Sequence, residues 1–133
     1  MPLNQGRASG TALVLSEPLS FWGGVNDRGT IVDVHHAQLG ASVTRRVLFL
    51  PSGRGSSSSS SCLAELIRTG QGPAGIVLGR RDSIIALGAI VAAELYSLEV
   101  PVVVIPWSAV NDLAAGSDVE VCASSQEAII RSR

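Results

Sequence analysis

The chain has 133 residues, with ten basic groups against eleven acidic ones and a net charge of −1; every basic residue is Arg. That length leads us to expect a single domain, 1–133, rather than a complete two-domain enzyme. The balanced charge, with no basic stripe or aromatic-basic interleaving, excludes the electrostatic footprint of a nucleic-acid binder. Hydrophobic residues make up 46% of the chain and charged residues only 16%. A typical soluble domain carries about a quarter of its residues as charged side chains, so part of this surface is expected to be covered by a partner.

The absence of Lys removes Schiff-base chemistry and the P-loop lysine. Cys62 and Cys122 lie far apart and lack the paired spacing of a metal site, so they read as small buried apolar residues. Met1 to Gly10 has no signal-peptide pattern, and no apolar stretch approaches the ~20 residues of a membrane span. These features lead us to expect a cytoplasmic protein with no membrane partner.

In chain order, Thr11–Leu15 is a short β-type run ending at Ser16-Glu17-Pro18. Leu19 to Asp27 reads as an ordered loop in which Phe21 and Trp22 form a hydrophobic plug beside a Gly pair. Thr30–Val34 is expected to be a second short strand, and His35 to Gly40 a solvent-facing polar connection. Adjacent His35 and His36 cannot chelate one metal from a single helix face; contact with an acidic group is their lesser alternative. Val47–Leu50 is a buried strand closed by Pro51, and Ala64–Arg68 lies in a helical pattern that Gly70 to Pro73 stops. Ala74–Leu78 is another strand. Asp82 caps a helix running to about Leu95, which is apolar almost all round and so expected to be largely buried, with Gly88 as a close-packing point. Val102–Ile105 is a third buried strand, and Ser108 to Ala115 a short turn or helix. Val119–Cys122 and Ala128–Ile130 flank Ser124–Glu127 as a hairpin, and Arg131 to Arg133 read as a frayed tail. The β-α-β-α-β order implies right-handed parallel crossovers, and the hairpin and early strands make the fold α/β in β/β/α layers, a mixed sheet with buried parallel strands and two main helices.

Between the Val47–Leu50 strand and the first helix stand Ser52-Gly53-Arg54-Gly55 and six serines, Ser56 to Ser61. A serine tract is usually a flexible linker. This one joins a buried strand directly to a helix, and both are needed for one core. Strand, Gly-rich turn and helix is the order that makes helix N-terminal amides an anion site. Gly53 and Gly55 would turn the chain, Ser56 would sit at the N-cap, and Arg54 would add a fixed positive charge. Such a site could hold a carboxylate and favour a serine alkoxide. A stand-alone hydrolase is disfavoured, because no Ser-His-Asp set assembles and the G-x-S-x-G elbow is incomplete.

Ser16-Glu17-Pro18-Leu19-Ser20-Phe21-Trp22-Gly23-Gly24-Val25, Asp33, Val47 to Ser57 and Gly75-Ile76-Val77-Leu78 together resemble the small subunit, or swivelling domain, of the aconitase X family, from about residue 6 to 121. The joint occurrence of S-F-W-G-G and P-x-G-R-G-S-S carries the specificity. The resemblance implies a swivelling β/β/α domain that closes over a large aconitase X subunit bearing an iron or iron–sulfur centre, in a hydro-lyase acting on a small hydroxy acid. Bacterial members dehydrate cis-3-hydroxy-L-proline; archaeal ones dehydrate mevalonate 5-phosphate. In related aconitases a G-S-S-R turn supplies the serine that moves the proton, which carries Gly55, Ser56 and Ser57 onto this chain and makes Ser56 the candidate base. The Arg of that turn is Ser58 here, leaving Arg54 or the large subunit to hold the carboxylate. The segment His35 to Gly40 favours the hydroxyproline substrate. A different class remains open: a swivelling-fold binding module without catalysis.

Overall fold

The computed structural model describes residues 1–112 and 116–132. Its elements are β1 (Pro2–Asn4), β2 (Gly6–Val14), β3 (Val47–Leu50), α1 (Ser59–Arg68), β4 (Gly75–Leu78), α2 (Ser83–Tyr96), β5 (Val102–Val104), a 3-10 segment Trp107–Asp112, β6 (Asp118–Ala123) and β7 (Ala128–Ser132). The strands form one mixed sheet in the order β1-β5-β4-β3-β2-β6-β7.

The long β2 decides the architecture. Its first part, Gly6 to Thr11, pairs antiparallel with β6, and its end, Ala12 to Val14, runs parallel to β3. Where the pairing changes, the Arg46 guanidinium donates to the carbonyls of Thr11 and Ala12, each at 3.1 Å. Past that point the sheet curls back over itself. A Cβ on Gly75 of β4 would lie 3.2 Å from the Ala8 Cβ of β2, which measures how closely the two halves face each other.

Strand alternation then distributes the core between two layers. Leu48, Leu50, Ile76, Leu78 and Val102 join the helices in one cluster, while Val47, Phe49, Val77 and Val103 meet Val119, Val121 and Ala123 of β6 on the other face. Covered on both sides, β3 and β4 are continuous apolar runs, as parallel central strands require. The β/β/α layering expected from the element order is present.

α1 and α2 pack against each other at Gly88. A Cβ there would lie 2.9 Å from the Ser60 carbonyl oxygen and 3.1 Å from Leu63 Cδ2. Gly88→Ala is therefore expected to destabilise the fold by about 1–3 kcal/mol through overpacking, although alanine is the better helix former by ~1 kcal/mol. Thermal denaturation checks this, and an unchanged or raised Tm would contradict it.

Several expectations need correction. Thr30–Val34 is not a strand: Thr30 and Ile31 make only isolated bridges, to Ser42 and Val25, because no neighbouring strand runs beside them. Trp22 is 58% exposed, and only Phe21 fills the plug. α2 is not largely buried: Ile85, Ala89 and Ala92 face the core, whereas Leu87 is 51%, Ile90 39% and Leu95 68% exposed. One helix and one sheet can cover only one side of it. The tail is not frayed through Ser132, since β7 pairs Ile130, Arg131 and Ser132 with β6; Arg133 lies outside the described residues. The 3-10 segment lies where a short turn or helix was expected, and the expected remainder, 113–115, also falls outside them. Both cysteines are half-buried rather than buried.

Candidate functional site

Because β2, β3, β4 and β5 are parallel, their carboxyl ends open on one edge, where open α/β sheets place their sites. Two of these exits run side by side, since Leu19 after β2 forms a parallel bridge with Gly53 after β3. The Gly-Ser turn and the start of α2 enclose a cleft of about 110 Å³, with Phe21, Gly53, Arg54, Gly55, Ser56, Ser59 and Asp82 in its wall. It is smaller than an open groove of about 640 Å³ between Gln5–Arg7 and Ser124–Glu127, but that groove lies away from this edge.

Each glycine of the turn has a steric reason. A Cβ on Gly53 would fall 2.3 Å from Asp82 Oδ2 and 2.8 Å from Ile85 Cδ1, so only glycine lets the turn lie against the start of α2. Gly55 has φ +101°, a conformation that side chains resist, and its Cβ would sit 2.7 Å from Ser20 Oγ. Asp82 caps α2 as expected, its Oδ1 accepting from the amides of Ile84 at 3.0 Å and Ile85 at 2.9 Å. Ser60 Oγ donates to the Ile84 carbonyl at 2.7 Å, tying the start of α1 to the first turn of α2.

Ser56 is half-buried in the cleft, but it is not the N-cap. α1 begins at Ser59, and the capping position belongs to Ser58, which is already helical (φ −62°, ψ −17°) and makes no side-chain cap bond. Ser56 instead closes the tight turn before the helix: its Oγ accepts from the Ser58 amide at 3.1 Å and its carbonyl from the Ser59 amide at 3.0 Å. Two residues were needed to swing the chain from the turn into the helix axis, which composition could not show. Among the described residues, none accepts a hydrogen bond from the amides of Gly55, Ser56 or Ser57. Free backbone amides and a serine hydroxyl are groups that can bind an anion. Arg54, exposed on the cleft wall, makes no ion pair with any described residue.

The structure thus brings Arg54, Gly55 and Ser56 together. Ser57 adjoins them, but it is exposed and stands outside the cleft wall. Sequence reasoning missed Ser20, Ser59 and the second role of Asp82. Ser20 Oγ donates to the Trp22 carbonyl at 2.9 Å, accepts from the Trp22 amide at 3.2 Å and lies 3.4 Å from Ser59 Oγ, joining the S-F-W-G-G loop to the first turn of α1. Asp82 follows β4, and a parallel β3–β4 pair already put its loop beside the β3 exit; that signal was present and unused.

His35 and His36 lie outside the cleft wall; the loop from His35 to Gly40 is largely exposed as expected, but the His36 side chain turns inward. It is 4% exposed, with Nδ1 accepting from the Gln38 amide at 3.0 Å and standing 3.7 Å from Glu17 Oε1. Its Nε2 is buried with no hydrogen-bond partner among the described residues. Glu17 itself accepts from the Ala37 amide at 2.9 Å, so this pair ties the loop to the exit of β2. Among the described residues no three His, Cys, Asp or Glu side chains converge as a metal site, and the two free thiols lie on different elements, α1 and β6. Nor is any described helix long and apolar enough to cross a membrane.

A curled mixed sheet with a glycine-serine turn at the carboxyl edge of its parallel strands is the architecture of a swivelling domain, and residues 1–130 match the aconitase X swivel domain, so the chain belongs to that family. The structure is similar to the crystal structure of Thermococcus kodakaraensis aconitase X in its holo-form, with a TM-score of 0.83 and 31% identity over 98% of this chain and 94% of that one. In sequence it is 39% identical over 117 residues to a cis-3-hydroxy-L-proline dehydratase of Hypocrea jecorina, covering 87% of this chain but 20% of that protein. It is also 39% identical over 88 residues to a phosphomevalonate dehydratase small subunit of Methanocella arvoryzae, covering 65% of this chain and 67% of that subunit. The chain therefore spans about a fifth of the length of the hydroxyproline dehydratase and two thirds of that of the phosphomevalonate subunit.

Proposed function

We propose that this chain is the swivelling half of a two-part hydro-lyase site, in which it closes over a large aconitase X subunit and Ser56 takes the proton from a small hydroxy acid. The observation that carries this reading is the turn, where the half-buried Ser56 shares a cleft wall with Arg54 and Gly55 and the amides of Gly55, Ser56 and Ser57 have no acceptor among the described residues. A serine is a weak base unless its alkoxide is favoured. Nearby amide donors and a guanidinium do that, and the same groups suit a substrate carboxylate. With the carboxylate held by Arg54, Ser56 Oγ removes the proton α to it. The C–H electron pair becomes the new double bond as the hydroxyl on the next carbon departs and is protonated to water.

The iron or iron–sulfur centre that the family resemblance implies has no donor set among the described residues and belongs, in this proposal, to the large subunit. The substrate is cis-3-hydroxy-L-proline, giving pyrroline-2-carboxylate. Supporting this are the His35 to Gly40 segment and the wider span of the match to the hydroxyproline dehydratase, 87% of the chain against 65% for the phosphomevalonate subunit. A second substrate, mevalonate 5-phosphate, is favoured by the better agreement in length with the phosphomevalonate dehydratase small subunit. Two free thiols accord with a reducing, cytoplasmic setting.

The test is reconstitution. The chain mixed with an aconitase X large subunit is expected to dehydrate cis-3-hydroxy-L-proline, and each part alone to be inactive. Turnover of mevalonate 5-phosphate instead would change the substrate. Carboxylate binding by the chain alone, with no activity on mixing, would replace the enzyme with a binding module.

A further inference from the structure

α2 is apolar on both sides, yet the chain covers only one. Along the uncovered side, Ser83, Leu87, Ile90 and Glu94 recur at helical spacing and are all exposed. Ser83, Leu87 and Ile90 line a groove of about 420 Å³ shared with the edge strand β1, whose wall also includes Pro2, Leu3 and Arg81. The stripe is flanked by opposite charges: Arg81 before the helix and Glu94 in its last turns. Neither forms an ion pair with a described residue.

We propose that this stripe pairs with the same stripe of a second copy of the chain, with the two α2 helices antiparallel about a two-fold axis between Leu87 and Ile90. The charge pattern selects that occupant. In this arrangement Leu87 lies on the second copy's Ile90, and Ser83 lies opposite its Glu94, about 16 Å along the helix at 1.5 Å per residue. Arg81, just beyond Ser83, then meets the second copy's Glu94, and symmetry repeats the pair at the other end. A parallel pairing would set Glu94 against Glu94 and Arg81 against Arg81, so the charges disfavour it. The stripe is self-complementary in both its apolar centre and its ends, and dimer formation does not depend on the catalytic role of the Ser56 turn. One helix face and an edge strand offer less than the ~800 Å² per partner of a standard interface, so the dimer is expected to form and dissociate with concentration.

Sedimentation equilibrium on the full chain tests this. The expected result is a concentration-dependent dimer whose dissociation constant rises more than about tenfold in Ile90→Arg, at the centre of the interface. Ile90 is exposed, so circular dichroism and Tm should stay as in the parent chain. E94R and R81E are each expected to weaken the homodimer about fivefold, and an equal mixture of the two to regain the parent affinity as a heterodimer, a result that nonspecific association cannot give. A chain monomeric at every concentration, or a dimer indifferent to these changes, overturns the proposal. So does a large aconitase X subunit that protects α2 from hydrogen exchange while dissolving the dimer, because the stripe then belongs to that partner.

Discussion

Ser56→Ala in the reconstituted enzyme is expected to lower kcat by about 10²–10⁴-fold, the range for losing a positioned general base, while KM changes little. In the proposed mechanism the two parameters separate, because the hydroxyl would move the proton while the backbone amides and Arg54, which survive the substitution, would hold the carboxylate. The fold should tolerate it, since the only side-chain bond lost is the local one from the Ser58 amide to Ser56 Oγ. Ser57→Ala is the matched control: Ser57 is exposed and outside the cleft wall, so its loss should leave kcat within a few-fold of the parent. Steady-state kinetics with both variants decides the assignment. Full activity in Ser56→Ala, or an equal loss in Ser57→Ala, would remove Ser56 from the proton-transfer role.

Phe49→Ala is expected to destabilise the chain by about 3–5 kcal/mol, as for other buried Phe truncations. Phe49 is fully buried on the face of β3 turned towards β6, among Val47, Val77, Val103, Val119 and Val121. Among the described residues it is the only large aromatic fully buried in that layer, and the β-branched neighbours held in strands cannot collapse into the space it leaves. The loss therefore combines transfer and cavity terms. Trp22→Ala provides the contrast: it is the larger side chain but mostly exposed, and its removal should change stability by no more than about 0.5 kcal/mol. Urea denaturation measures both, and a mild Phe49→Ala would mean that the two sheet layers repack.

The legible parts of this protein were those carried by local pattern. The apolar runs at Val47–Leu50 and Ala74–Leu78, the Asp82 cap and the hairpin around Ser124–Glu127 depend on neighbours in sequence, and each appears within a residue or two of its expected place. The illegible parts depend on what lies across the fold. Thr30–Val34 has strand composition but no strand beside it, so it forms bridges only. Trp22 and Phe21 are adjacent and similarly apolar, yet only Phe21 points into a space that exists. Ser56 has an N-cap's identity, but the turn imposed by Gly53 and Gly55 delays the helix to Ser59. At the site, Arg54, Gly55 and Ser56 were adjacent in the chain and could be read together, whereas Ser20, Ser59 and Asp82 joined them only through the parallel pairing of strand exits.

Family and layering follow from the order of residues alone, as does the proposal of an anion site at the glycine-serine turn, because strand alternation, helix period and the steric freedom of glycine are local properties. The tertiary structure decided where that chemistry is aimed and what remains uncovered. It set Gly53 against Asp82 and left the amides of Gly55 to Ser57 without acceptors among the described residues, and it buried only one side of an α2 helix that is apolar on both. Composition had indicated a surface too poorly charged to stand alone. The fold shows which apolar residues stay uncovered, because only a folded sheet and its packed helices determine which of them run out of neighbours.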